Sequence, residues 1–213
     1  PLDSYKYIKD LFELQVDYNT IGSELKLHPY EYQKKLIYDI LTHKELLLIS
    51  PCGSGKTIIG IGAYLELKKN KLINPNSIGI ILVKATLKLQ WLNEVSKFSE
   101  AKANIIKSNA EITSGYRSKI KKLQSDIKKL NSSKDKALIK QYKSKIKEYE
   151  LSAKDTFNQQ FNGYDLLILN YEALKDEAIS QKLKTLNIEY IFADEVHKIS
   201  NRKAQLSQAA YEF

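Results

Sequence analysis

The sequence predicts an α/β fold, a mostly parallel sheet covered by helices on both faces. Three observations carry this. Short apolar, β-branched runs alternate with amphipathic helical stretches, as strands joined by helical crossovers do. A glycine-rich loop, Ser50–Thr57, stands between one such run and one such helix. One long Lys-rich segment carries helix pattern only and interrupts the alternation like an insertion.

Taken in order, "ELLLIS" (45–50) is a short apolar run ending at the glycine loop, which predicts a buried strand. Residues 57–67 follow as a helix whose apolar face is Ile58, Ile59, Ile61 and Leu65. "SIGIILV" (77–83), introduced by the turn signal "NPNS", predicts a second strand. Leu87, Trp91, Val95 and Phe98 fall at helical spacing over 87–98. "ANIIKSN" (103–109) predicts a short strand, and "YDLLILN" (164–170) another after the Asn162-Gly163 turn. Residues 171–186 suit one or two helices, and "IEYIFADE" (188–195) reads as a strand ending in acids.

The interruption falls between 117 and 152. Ile120, Leu123, Ile127 and Leu130 are spaced as the a and d positions of a coiled-coil seam, and so are Ile139, Tyr142, Ile146 and Tyr149. "NSSKDK" (131–136) between them is a turn signal. A hairpin folded about Lys134 and Asp135 sets Ile120 opposite Tyr149, Leu123 opposite Ile146, Ile127 opposite Tyr142 and Leu130 opposite Ile139. This predicts an inserted antiparallel helical hairpin at about 115–155. Its seams are short for an isolated helix pair, so it is expected to lean on the domain or a ligand.

The charge is equally local. The chain of 213 residues carries a formal charge of +9, and residues 117–150 hold eleven lysines and one arginine against four acids. That segment accounts for +8 of the total and points to an acidic partner, nucleic acid first. The single cysteine, Cys52, allows no intrachain disulfide, which fits a reducing compartment. No apolar run approaches the ~20 residues of a membrane span, and the first residues show no apolar signal core, so no membrane partner is expected.

The loop and the terminal acids carry the chemistry. A phosphate chain needs backbone N–H groups converging on one concavity, and Gly53 and Gly55 allow that approach beside Ser54. Lys56 sets a cation against β- and γ-phosphates, and the Thr57 hydroxyl is placed to ligate Mg²⁺. Ser50 stands where the Walker A pattern asks for glycine, at the strand exit, where its loss matters least. Asp194 ends another apolar strand, where P-loop enzymes hold Mg²⁺, and Glu195 beside it is suited to orient or deprotonate an attacking water. A ligand-free Gly/Ser turn and a solvated acid pair are the plain alternatives. Each weakens once both features occur on one alternating scaffold. His28 and His43 read as surface or turn residues.

"SPCGSGKT" with "ADEVHK" resembles motifs I and II of superfamily 2 helicase-type ATPases of the DExH kind. Within that group the chain is most similar to Swi/Snf-type double-stranded DNA translocases. "LHPYEYQKKLIYDIL" (27–41) resembles the segment before motif I, which implies that Gln33, with Tyr30 or Tyr32, meets adenine. "ILVKATLKLQWLNEVSKF" (81–98) resembles motif Ia, with Gln90, Trp91 and Glu94. "LLILNYEAL" (166–174) resembles motif Ib, and "DEVHKISNRKAQLSQA" (194–209) is similar to the family's run after motif II. Motif Ia departs from the usual Cys-Pro, with Lys84-Ala85 there, and Gln33 follows Tyr30 by three residues.

The resemblance implies a RecA-like P-loop motor domain over 27–213, after an N-terminal helical extension at 1–26. It implies ATP and Mg²⁺ as cofactors and a nucleic-acid track, DNA favoured over RNA. His197 is implied as the link between nucleotide and polynucleotide sites, and Lys84 as a nucleic-acid contact. Lys119, Lys121, Lys122, Lys128 and Lys129 on one arm, with Lys140, Lys143, Lys145 and Lys147 on the other, are read as a clamp on nucleic-acid backbone. A solvated hairpin or a docking arm for a protein partner stands as the alternative for that element. No Ser/Thr-Ala-Thr motif and no second RecA-like domain precede Phe213, so the segment by itself is expected to bind nucleotide and hydrolyse it weakly. A strand-separating DExH helicase and a non-catalytic binding module are the rival readings. The expected location is intracellular, cytoplasmic for a prokaryotic or viral protein and nuclear for a eukaryotic remodeller.

Overall fold

A computed structural model describes residues 16–43, 46–49, 53–131 and 134–195. Among the described residues, ten helices and strands follow one another: α1 (Glu31–Thr42), α2 (Lys56–Lys69), β1 (Ile78–Val83), α3 (Lys88–Phe98), β2 (Ala103–Ile105), α4 (Asn109–Lys129), α5 (Lys136–Gln159), β3 (Leu166–Asn170), α6 (Glu177–Leu183) and β4 (Ile188–Ala193). Short 3₁₀ turns stand at Tyr18–Thr20, Ala85–Leu87 and Tyr171–Lys175.

The described strands form one parallel sheet in the order β2-β3-β1-β4. Its central strands alternate sides, as a strand period of two requires. Ile81, Val83, Leu166 and Ile168 enter one core with Ile59 and Ile61 of α2 and Trp91 and Val95 of α3. Ile80, Leu82, Leu167 and Leu169 enter a second core with Ile179 and Leu183 of α6 and Phe157 of α5. Both faces are therefore covered, which is why these strands read as nearly unbroken apolar runs.

The expected strand over 45–50 is corrected. Its described residues, 46–49, belong to no strand, and Leu46, Leu47 and Ile49 are exposed, Ile49 at 87%. Apolar, β-branched content permits a strand, but pairing with a neighbour makes one, and pairing is non-local. The expected helical extension over 1–26 falls mostly outside the described residues. Its described part makes a single 3₁₀ turn and then buries Ile21 and Leu25 in the first core. There the buried Glu66 carboxylate accepts the Gly22 N–H at 2.8 Å and ties this segment to α2.

The far end of α2 is clamped to the sheet. The Tyr64 hydroxyl lies 3.0 Å from the Ser77 carbonyl and 2.8 Å from that of Asp165. Lys68 Nζ meets Asp165 Oδ1 at 2.9 Å. Burial opposes charge on both partners, yet their hydrogen bonds win. The Lys102 N–H and Lys68 hold Asp165 below the usual carboxylate range, and Asp165 holds Lys68 above its own. The Asp165 contribution is thus present above about pH 4 and fades as pH falls through the lowered folded value. The Lys68 contribution is present below about pH 10.4 and fades above it, through the raised value. Tyr64→Phe leaves a buried carbonyl short of its donor and is expected to cost about 1–2 kcal/mol, read as a lowered urea midpoint at unchanged slope.

The inserted hairpin is present and longer than the expected 115–155, because its helices start and end inside the domain. Ser108 caps α4 in a reciprocal box with Glu111. Ile112, Ala153 and Phe157 are buried against the second core, with Tyr116 packed beside them. Beyond this base, over 117–131 and 134–150, no described residue is fully buried. All eight predicted seam residues are half-buried there, and the lysines beside them are exposed. Tyr116 and Tyr149 meet with ring centroids 6.1 Å apart, and Lys119 Nζ lies 5.6 Å from the Tyr149 ring, close to the register the two seams predict. From residue 117 to its end, α4 extends roughly 20 Å as a basic arm.

Candidate active site

In a parallel sheet with helical crossovers, ligands bind beyond the strand carboxyl ends where the strand order reverses. Here the chain leaves β1 toward β2 and β3 on one side, and β4 lies on the other. The reversal falls between β1 and β4. Lys84 follows β1, and Asp194 and Glu195 follow β4, side by side at that place. The Asp194 N–H donates to the Leu82 carbonyl at 2.8 Å and carries the pairing one step past the strand end.

Helix α2 brings the glycine loop to the same level. Gly60 lets α2 pack directly on β4: a Cβ there would stand 2.8 Å from the Phe192 ring, and the Tyr190 hydroxyl donates to the Gly60 carbonyl at 2.7 Å. Further along, Tyr64 packs on Tyr190 and reaches the start of β1 at Ser77. Helix and strand therefore run in opposite directions. Going back from Gly60 to Lys56 climbs roughly 6 Å, and going on from Phe192 to Asp194 climbs about the same. Lys56 and Thr57, in the first turn of α2, thus share the carboxyl edge of the sheet with Asp194 and Glu195.

The loop is shaped for an anion. Gly53 and Gly55 have φ of 80° and 77°, and Gly55 is the left-handed residue that opens α2. A Cβ on Gly55 would overlap the Gln33 amide, and the space at Gly53 is open. The first-turn N–H groups and the positive end of the helix dipole meet there. Gln33 is buried behind the loop. Its Oε1 accepts the Tyr30 N–H at 2.9 Å, while its Nε2 lies 3.3 Å from the Tyr32 hydroxyl and 3.4 Å from the Ser54 carbonyl. The Tyr32 hydroxyl donates to the same Ser54 carbonyl at 3.0 Å. The exposed Tyr30 and Tyr32 rings stack with centroids 6.0 Å apart.

Two aromatic side chains position Asp194. The Tyr171 hydroxyl donates to the Asp194 carbonyl at 2.6 Å. Burial, then the neighbouring Asp194 and Glu195 charges, push the Tyr171 phenol far up, so it remains a donor. The Trp91 indole N–H reaches Asp194 Oδ2 in a long hydrogen bond of 3.4 Å. Neither contact is announced by the sequence, where Trp91 falls on the apolar face of a helix and Tyr171 follows an apolar strand. The available signal is that a buried indole or phenol needs a partner for its polar tip. Glu195 sits in the left-handed region at φ 56°, a conformation of order 1 kcal/mol above the ordinary one for a side chain of this kind. Lys84 Nζ pairs with Glu195 Oε2, each side chain about one-third exposed, at 37% and 33%. Lys84, expected as a nucleic-acid contact, thus stands against the acid expected to act on water.

Among the described residues no three His, Cys, Asp or Glu side chains cluster as a metal cage. Thr57, Asp194 and a phosphate oxygen suit Mg²⁺, which favours few protein ligands and retained water. The donor set and the open glycine loop fit that ion together with a nucleoside triphosphate. His197 lies outside the described residues. The nine hairpin lysines are exposed along α4 and α5, whereas Lys88 and Lys107 sit near the hairpin base. There the Ser108 N–H, against burial, holds Glu111 low, and Lys88 and Lys107 add to that. Within the described residues no helix is long and apolar enough to cross a membrane.

A search of curated protein sequences returned no significant match. Among solved structures, the SWI2/SNF2 ATPase core of Sulfolobus solfataricus, determined with dsDNA, superposes with a TM-score of 0.58 at 17% identity. The match covers 89% of this chain and 31% of that one, so the chain spans under a third of that structure's length. At this identity the likeness establishes the RecA-like fold. The family model for the res subunit of type III restriction enzymes matches residues 26–212. On that match, which takes in the whole described sheet and both candidate loops, the chain belongs to the type III restriction enzyme res-subunit family, a family of helicase-type ATPases.

Proposed function

We propose that this chain is the ATP-binding motor domain of a double-stranded DNA translocase of the Swi/Snf type. The observation that carries the reading is the shared level of Lys56–Thr57 and Asp194–Glu195 at the β1/β4 reversal. In this reading Lys56 binds β- and γ-phosphates, and Thr57 and Asp194 hold Mg²⁺. Glu195 takes a proton from, or orients, the attacking water. The metal supplies charge neutralisation on the phosphates. Trp91 and Tyr171 keep Asp194 in place. Gln33 braces the loop, and Tyr30 and Tyr32 offer a stacked surface beside it for a base. ATP lies between this domain and a second RecA-like domain of the same polypeptide, and closure of the cleft drives stepping. The duplex in the Sulfolobus structure supports DNA as the track.

The decisive experiment measures hydrolysis by the full-length polypeptide with and without duplex DNA, and unwinding of tailed duplexes. Duplex-stimulated hydrolysis without unwinding is expected. Unwinding turns the reading to a strand-separating helicase, and wild-type function in a Lys56→Ala variant turns it to a scaffold.

The hairpin is proposed as a sequence-independent backbone clamp. Six lysines engaged on phosphates give a slope of log K against log salt of about −5 on duplex DNA. Replacing Lys121, Lys122, Lys143 and Lys147 with Gln is expected to flatten the slope by about one unit per contacting lysine, equally on unrelated sequences. An unchanged slope in a DNA-binding titration removes the clamp and leaves the arm to a protein partner.

A further inference from the structure

We propose that Lys84 is a latch on Glu195, closed in the absence of nucleic acid and opened when a backbone phosphate takes the lysine. Three observations carry this. Lys84 Nζ and Glu195 Oε2 form an ion pair across the β1/β4 reversal. Asp194 is positioned by other groups, Trp91 and Tyr171, so Glu195 can change partner while Asp194 stays. Glu195 occupies a left-handed backbone conformation at φ 56°, which surrounding contacts must maintain.

A carboxylate held by an ammonium is drawn off the line of attack on the water. The latch therefore lowers turnover without touching the phosphate loop. Lys84 is also reachable, with about a third of its side chain exposed. It lies on the same stretch of chain as Lys88, which acts electrostatically on Glu111 at the hairpin base together with Lys107. Nucleic acid lying along the hairpin thus has cations to follow toward Lys84. A polyanion competes for that lysine with many phosphates at once, whereas Glu195 offers one carboxylate. Lys84 is a positioning residue here: it acts through Glu195.

The inference rests on the nucleotide-site reading above, and two measurements on the full-length protein keep the two apart. The first is zero-length carbodiimide cross-linking, which joins a lysine amine to a carboxylate in contact, read by peptide mass spectrometry. The Lys84–Glu195 cross-link is expected without DNA and to fall at least about fivefold with saturating blunt duplex. Its absence without DNA, or its persistence with it, overturns the latch whether or not the protein hydrolyses ATP. The second is steady-state hydrolysis. Lys84→Gln is expected to raise the DNA-free kcat about fivefold at unchanged KM, the scale of one partly exposed ion pair, and to lower the stimulation by duplex by the same factor. Lys84→Arg restores the low DNA-free rate. A DNA-free rate in Lys84→Gln at or below wild type overturns the latch. A Glu195→Gln variant that hydrolyses normally overturns the nucleotide-site reading instead.

Discussion

Lys56→Ala is expected to lower kcat/KM for ATP by about 10²–10³, the loss typical of removing one preorganised cationic or hydrogen-bonding group from a developing charge. The side chain stands in the first turn of α2, half-buried behind a loop with two left-handed glycines. No other residue in that turn is cationic. Binding shows the loss as well as turnover. A ligand at a hundred times its Kd stabilises the folded state by about 2.7 kcal/mol, so ATP raises the melting temperature of the wild type and not of the variant. The ligand-free melting temperature of each protein is the reference from which its ATP-dependent shift is read. A normal ATP-dependent shift in Lys56→Ala removes the loop from the phosphate site.

Glu195→Gln is expected to separate binding from hydrolysis. The amide keeps the size of the side chain and loses the base, and general-base catalysis is worth about 10²–10⁴ in rate. ATP affinity is expected to hold, so the variant accumulates a stable nucleotide complex that filter binding or the same melting shift detects. Asp194→Asn differs. It weakens the Mg²⁺ site while the backbone bonds from Tyr171 and to Leu82 remain. Its hydrolysis falls too, but raised Mg²⁺ partly restores it. Equal magnesium rescue of both variants contradicts the division of roles between the two acids.

Much of this was legible in the letters. The strands at 78–83 and 166–170 announce themselves, because burial on both faces makes each an apolar run bounded by turns. The strand at 188–193 lies at the edge of the described sheet with Glu189 and Ile191 exposed, and is marked by Ile188, Tyr190 and Phe192. The hairpin itself was legible because a coiled-coil seam is a local, periodic pattern. The apolar run before the glycine loop shows where such patterning fails. Its described residues have the composition of a strand, and they pair with none of the described strands. Trp91 and Tyr171 fail for another reason. They sit 103 and 23 residues from Asp194 along the chain, and no local spacing announces a contact made only when β1, β3 and β4 lie together.

By itself, then, the sequence determined the chemistry available: a glycine-rich loop, a cation and hydroxyl to follow it, two acids at a strand end, and a basic arm. Those depend on residue type and near spacing, which the chain carries in one dimension. Only the tertiary structure decided which groups meet. Antiparallel packing of α2 on β4 lifts Lys56 and Thr57 to the level of Asp194 and Glu195, and the side-by-side ends of β1 and β4 bring Lys84 to Glu195. The physical reason is that strand order sets which loops adjoin, and strand order follows from burying two apolar faces at once rather than from any single stretch of residues.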